Sequence, residues 1–228
     1  MTARLVNCRD LAPGTRHFEF VSATWPAAFV PGQFLSMTQQ IGDDEITRAY
    51  SIASPPGGNG FALCANLVGE GHFTPFLFDL NPGDEIHFKG PYGGFIPKQT
   101  PADSIFVATG TGIAPFRSML LSDLRTRTNR RYTLIFGARY EEGLLYDQEW
   151  KALAADWPDF DYRPTLTRPA GGWQSRTGRV QAHVLEALGD RRDVDVYICG
   201  MKEMVDDLRA QLKALGLDRK RIIVEKYD

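Results

Sequence analysis

Three short stretches of this chain set polar or reactive side chains closer together than a packed core requires. In "RAYS", Arg48, Ala49, Tyr50 and Ser51 place a fixed cation, a flat phenol ring and a hydroxyl on one short run. In "VATGTGIAPF", Thr109, Gly110, Thr111 and Gly112 join an apolar run to a helical one that carries Pro115. Glycines let the backbone turn tightly and approach a ligand, and proline presets the first turn of a helix. The free N–H groups and the positive dipole end then make an anion site suited to a pyrophosphate. In "CGM", Cys199, Gly200 and Met201 end another apolar run just before a helix. Each stretch alone has an ordinary reading: a surface arginine beside a half-buried tyrosine, a plain strand–turn–helix, a cysteine used as a small hydrophobe. The turn also reads Gly-x-Gly-x-x-Pro, and the next strand ends in Gly137-Ala138-Arg139 with no acidic residue, so it departs from the dinucleotide fingerprint.

The elements around these stretches divide the chain in two. Residues 1–98 read as β: "RHFEFVS", "GQFLSMT", "RAYSIAS", "GFALCANLV" and "DEIHFKG" are short apolar segments separated by Pro31-Gly32, Pro55-Pro56-Gly57-Gly58 and Pro82-Gly83. That pattern predicts an antiparallel barrel or sandwich. "TPFLFDL" predicts a helix inside it, with Thr74 as N-cap and Pro75 at the first helical position. After the prolines of "GFIPKQTPAD", residues 103–228 alternate strand and helix, from "SIFVA" and "PFRSMLLSDLR" to "KEMVDDLRAQLKALG" and "RIIVEKY". Alternation of this kind predicts an α/β domain with a parallel sheet. Ligands bind at the carboxyl edge of such a sheet, where Gly110–Gly112 and Cys199–Met201 fall.

Composition narrows the class. The chain has 228 residues, 43% hydrophobic and 24% charged, enough for two domains, and its net charge of -2 gives nucleic acid no reason to bind. No apolar run approaches the roughly 18 residues that cross a bilayer, and "MTARLVNCRD" lacks the apolar core of a signal peptide, so a cytoplasmic protein is expected. Cys8, Cys64 and Cys199 are scattered and odd in number, which argues against a disulfide framework and against an iron–sulfur cluster; no metal is expected.

Five stretches in order resemble the ferredoxin–NADP reductase family of flavoproteins: "RAYS", "GEGHFT" (Gly69–Thr74), "GTGIAPF", "CGM" and "VEKY" (Val224–Tyr227). The resemblance covers nearly the whole chain. It implies a Greek-key FAD-binding barrel followed by an NAD(P)-binding α/β domain. It places Tyr50 against the isoalloxazine, Ser51 near flavin N5, and Arg48 on the FAD pyrophosphate, with Gly71, His72, Phe73 and Thr74 completing that phosphate site. It assigns Thr109, Gly110, Thr111 and Gly112 to the nicotinamide-nucleotide pyrophosphate, and Cys199, Gly200 and Met201 to the nicotinamide. Tyr227 would cover the other flavin face and Glu225 would be a polar or proton contact. Ser51, Cys199, Glu225 and Tyr227 are thus the candidate catalytic set. One departure is visible: Asp228 follows Tyr227, where plant-type members end on the aromatic.

For the nicotinamide partner, Arg139, Arg168, Arg176 and Arg179 lie near strand ends of one sheet edge, at positions where bacterial-type members hold a 2′-phosphate, so NADPH is expected over NADH. No fused ferredoxin domain is expected, so the expected partner is a separate ferredoxin or flavodoxin, met by a monomer. "RTRTNRR" (Arg125–Arg131) and "DRKR" (Asp218–Arg221) are basic stretches that would guide an acidic carrier. Two alternatives stand beside this reading: an NAD(P)H:flavin reductase, and the reductase component of an oxygenase.

Overall fold

Phe18 and Phe20 alternate with polar residues, and the structure turns them into one wall of a barrel. This computed structural model describes residues 1–25, 28–124 and 130–227. Its first unit holds strands β1 (Thr2–Ala12), β2 (Thr15–Val21), β3 (Phe34–Ile41), β4 (Asp44–Ser51), β5 (Gly60–Asn66) and β6 (Glu85–Tyr92), with helix α1 (Phe73–Asp79) between the last two. All pairings are antiparallel, in the order β4-β3-β6-β1-β2-β5. An Ile52–Leu63 bridge joins the two end strands of that order. β3, β4 and β5 thus follow one another, while β6 returns to lie between β3 and β1, as a Greek key requires. Leu35, Met37, Phe61, Leu63, Ile86 and Phe88 fill the interior with Phe18 and Phe20.

One strand of this half has no clear signal in the sequence, and one expectation needs correction. Strand β1 is eleven residues long and went unread, because Arg4, Arg9 and Asp10 hide the two inward residues Ala3 and Leu5. Helix α1 begins at Phe73 with His72 at its cap position, so Thr74 is not the N-cap and Pro75 is the third helical residue. Phe73 is buried in the barrel core, which draws the helix start two residues earlier than a threonine cap at 74 would. The Thr74 hydroxyl instead accepts from Val68 N–H at 2.9 Å and donates to the Val68 carbonyl at 3.3 Å, tying down the preceding loop.

The second sheet is wholly parallel: β7 (Ser104–Thr109), β8 (Tyr132–Ala138), β9 (Phe160–Leu166), β10 (Arg176–Thr177), β11 (Asp195–Met201) and β12 (Ile222–Tyr227), in the order β10-β9-β8-β7-β11-β12. Helices α2 (Ile113–Asp123), α3 (Asp147–Asp156), α4 (Val180–Leu188) and α5 (Lys202–Ala214) connect its strands. A 3-10 turn over Gly110–Gly112 precedes α2, which starts two residues before Pro115. The expected basic stretch from Arg125 falls mostly outside the described residues. From Ala114 onward α2 groups with the first unit, while Lys98–Ile113 belongs to the second.

The opposite, amino edge of the parallel sheet is tied by a buried acid. Asp195, 1% exposed, accepts from Lys98 Nζ at 3.1 Å, Thr100 Oγ1 at 2.9 Å and Arg221 Nη1 at 3.2 Å. Lys98 N–H also bonds the Tyr197 hydroxyl at 2.9 Å. The start of this unit and the run into β12 are therefore both pinned to β11.

Candidate cofactor and active site

In the first unit the "RAYS" stretch forms the end of β4. Pairing with β3 sets Arg48 opposite Met37, Ala49 opposite Ser36, Tyr50 opposite Leu35 and Ser51 opposite Phe34. Arg48 is exposed, and its Nη1 donates to the Thr47 carbonyl at 2.8 Å. Tyr50 is half-buried; burial pushes its hydroxyl up to about 12, against the pull of the Arg48 charge, so it stays a neutral phenol. Ser51 is buried. The Tyr50 ring lies 5.8 Å from that of Phe73, tilted by 34°. That contact brings two stretches more than twenty residues apart to one place: the cation and phenol of β4, and the first turn of α1.

Within "GEGHFT", Gly71 N–H is taken by the Val68 carbonyl at 2.9 Å, and the Thr74 proton is directed at the same carbonyl. Neither is a ready phosphate donor in this arrangement. His72 makes no side-chain cap bond. The first-turn N–H groups of a helix have no acceptor within it, so those around Phe73 remain the donors this stretch offers an anion.

In the second unit the strand order reverses between β7 and β11, and ligands bind at such a reversal. The Gly110–Gly112 turn and the Cys199–Met201 end meet there, with Ala108 paired to Cys199. A side chain at Gly112 would put its Cβ 2.5 Å from the Cys199 carbonyl oxygen, so the turn can lie against β11 only as glycine. Gly200 has φ +147° and lies against the Thr109 hydroxyl, which would meet a Cβ there at 2.5 Å. Thr109 Oγ1 is buried and has no hydrogen-bond partner among the described residues. A buried hydroxyl of that kind calls for a polar partner, and beside a glycine turn it fits a nucleotide site. Thr111 is half-buried, and Met201 is exposed.

Cys199, Glu225 and Tyr227 lie together on the neighbouring strands β11 and β12. Cys199 is fully buried and pairs in register with Glu225; its thiol faces Glu225 Oε1 at 3.9 Å. Burial first, then the Glu225 charge, push the thiol well up, while a hydrogen bond with Tyr227 pulls it back. The thiol is therefore protonated at neutral pH and can donate toward Glu225. Tyr227 pairs with Met201 and is half-buried.

The arginines divide. Arg139 and Arg168 follow β8 and β9, are exposed, and lie side by side through an Arg168 N–H bond to the Arg139 carbonyl at 2.9 Å. Arg179 stands two residues beyond β10 and occupies the cap position of α4. Arg176 lies within β10, and its guanidinium reaches to 3.9 Å from Glu186 on α4, a carboxylate also approached by Arg163 and His183. Two further residues carry structure that sequence reading missed: Asp195, whose only signal was an acid ahead of an apolar strand, and Arg117, a lone cation in "PFRSML", whose Nη1 bonds the Ala53 carbonyl at 2.9 Å.

Comparison with known proteins agrees with this fold. Residues 2–96 match the oxidoreductase FAD-binding domain and residues 106–210 the oxidoreductase NAD-binding domain. Together these define an oxidoreductase that binds a flavin and a nicotinamide nucleotide. A relative named ferredoxin–NADP reductase B from Sorangium cellulosum (strain So ce56) is 40% identical over 237 residues, covering 99% of this chain and 97% of the relative. The chain belongs to the ferredoxin–NADP reductase family. Its fold is shared with an Amycolatopsis cytochrome P450 reductase, at TM-score 0.90 and 25% identity over 99% of this chain and 68% of that one. It is shared too with a ferredoxin NADP+ reductase from Neisseria gonorrhoeae, solved with bound FAD and NADP, at TM-score 0.86 and 23% identity over 99% and 98%. The chain spans about half the length of the Na(+)-translocating NADH-quinone reductase F subunits it also matches, 50% in the case from Idiomarina loihiensis. No described helix is long and apolar enough to cross a membrane.

Proposed function

We propose that this chain oxidises NADPH through FAD and supplies electrons singly to a separate ferredoxin or flavodoxin. Bound FAD would accept hydride from NADPH, leaving NADP+, and pass its two electrons on one at a time. The chain's own residues bind and place the partners. Arg48 and the first turn of α1 neutralise the FAD phosphates. Tyr50, kept neutral by burial, offers a flat ring to the flavin. The Gly110–Gly112 turn takes the nicotinamide-nucleotide pyrophosphate, and the protonated Cys199 shapes the pocket with Glu225 and Tyr227.

The choice of NADPH rests on one observation: Arg139 and Arg168, joined through their backbones, lie at the same sheet edge as Arg179. Three guanidinium groups at one edge suit a dianionic 2′-phosphate. Arg176, drawn toward Glu186, is the weakest member of the set. Purification tests the reading: a yellow protein holding about one FAD per chain through gel filtration, reduced faster by NADPH than by NADH, supports it. Preference for NADH would favour the second reading, a reductase component of an oxygenase, to which the fold shared with the Amycolatopsis cytochrome P450 reductase also points.

A further inference from the structure

Helix α4 lies back along the parallel sheet through Val180, Val184 and Leu188, which are buried at four-residue spacing. That packing fixes the flanks of the helix beside β9 and the short end strand β10. Glu186 stands on one flank, and three basic side chains converge on its carboxylate. Arg163 Nη1 lies 3.8 Å and Arg176 Nη2 3.9 Å from Oε1, and His183 Nδ1 lies 3.8 Å from Oε2. His183 is held by Thr165 Oγ1 and the Thr177 carbonyl, each 3.0 Å from its Nε2. Arg163 has a second and closer partner in Asp161, at 2.6 Å. For Arg176, Glu186 is the one carboxylate at ion-pair distance among the described residues. The Arg176 backbone is fixed by register with Thr165 and by an indole N–H bond from Trp173 to its carbonyl at 2.8 Å. Only its side chain is left to choose an anion. Arg139 and Arg168, by contrast, are exposed and have no ion pair among the described residues.

We propose that Glu186 restrains the preference for NADPH: its carboxylate engages Arg176 as an internal substitute for the 2′-phosphate, and without that charge the guanidinium joins Arg168 and Arg179 in pairing the dianion. The proposal rests on the functional reading above and names a specificity-determining residue that itself binds no ligand. Arg176 stands three residues before Arg179, at most about 11 Å of chain, which two long guanidinium side chains close from either end. An exposed ion pair is weak, and Glu186 is 61% exposed, so an effect of about 3-fold is expected.

Calorimetric titration of the FAD-loaded protein with adenosine 2′,5′-bisphosphate and with adenosine 5′-monophosphate tests it. Glu186→Gln should tighten the bisphosphate about 3-fold and shift the monophosphate less than about 1.5-fold, and the gain should shrink as salt rises. In steady state the KM for NADPH should fall by a similar factor. In an Arg176→Ala background, Glu186→Gln should gain nothing. Asp156→Asn, which removes one exposed charge at the end of α3, should alter neither titration. Glu186→Ala should match Glu186→Gln, and both should melt with the parent, since exposed substitutions rarely disturb a fold. Unchanged bisphosphate affinity in both variants overturns the proposal, as does a gain that persists without Arg176 or that Asp156→Asn reproduces. A parent that binds the bisphosphate no more tightly than the monophosphate overturns the NADPH reading, and the proposal with it. A parent that discriminates between the two, with Glu186 variants that bind as it does, overturns the proposal alone.

Discussion

Cys199 and Glu225 are register partners on adjacent parallel strands, with the thiol sulfur 3.9 Å from the carboxylate and both next to Tyr227. The pairing keeps the sulfur protonated, since burial and a nearby anion both oppose a thiolate. Cys199→Ser should therefore slow flavin reduction by NADPH while leaving the flavin spectrum nearly unchanged. Stopped-flow rates measured from pH 6 to 9 should show no step from the thiol in the parent. Iodoacetamide should label Cys199 far more slowly than a free thiol at about pH 8.

The arginine edge gives a coenzyme asymmetry. Each charge-assisted pair to a partly solvated phosphate is worth roughly 1–2 kcal/mol. Arg168→Ala should raise the KM for NADPH about 5- to 30-fold and leave NADH almost untouched. Arg176→Ala, its side chain already engaged with Glu186, should change NADPH use less than Arg168→Ala does. Steady-state kinetics with both coenzymes at two salt concentrations would read this, because a phosphate contact weakens as salt rises.

His17 gives a pH dependence of stability. It is 2% exposed, and its pKa is lowered from 6.5 to about 4, first by burial and then by the Arg117 and Arg9 charges, against the opposing Glu19. A folded pKa below the unfolded one means that the unfolded chain takes up a proton the folded chain refuses. The stabilisation is whole above about pH 6.5 and is lost as pH falls toward about 4. The loss is on the order of 3 kcal/mol. Urea midpoints at pH 7, 5.5 and 4.5 should fall in the parent and fall less steeply in His17→Gln. Parallel slopes would show that another group carries the acid sensitivity.

Asp195 gives a test at the opposite edge of the parallel sheet from the glycine turn. It is buried among Lys98, Thr100 and Arg221 at the amino edge of the parallel sheet. Removing one member of a buried charge cluster typically costs about 3–5 kcal/mol; because Lys98 and Arg221 are each 32% exposed, about 2–3 kcal/mol is expected for Asp195→Ala. The variant should melt several degrees lower, with kcat little changed once FAD is bound. An unchanged melting temperature would mean the cluster only balances its own desolvation.

The barrel and the parallel sheet were legible, and the five family-like stretches could be placed on them, because each writes itself into local spacing. "YTLIFGA" is β8 residue for residue, and "TGTG" falls on the turn where the sheet order reverses. β1 was illegible because its inward residues are only Ala3 and Leu5 among exposed charges, and irregularities in its pairing with β2 break the alternation. Thr74 was misread because a hydroxyl three residues past Gly71 scans as a cap, while the partner it chose, Val68, lies six residues back. Asp195 and Arg117 escaped for a general reason: a single charge has no period, and its meaning comes from partners that only the fold supplies. Arg139 and Arg168 could be placed on strand ends, but their backbone bond could not.

The Ile52–Leu63 bridge ties the end strands β4 and β5 at one isolated point, directly after Ser51. A barrel whose five other pairings are continuous ladders, but whose β4–β5 seam is joined at one isolated bridge among the described residues, has a built-in place to breathe, because local opening begins where the fewest hydrogen bonds must break. That place is the strand end carrying Tyr50 and Ser51. A ligand gripping both Tyr50 on one lip and the α1 turn on the other would act as the missing stitches, adding RT ln(1 + [L]/Kd) to the closed form alone. Stripped of such a ligand, the chain should exchange its amide hydrogens first at Ser51–Ala53 and Ala62–Cys64, well before the centre of β2 gives way.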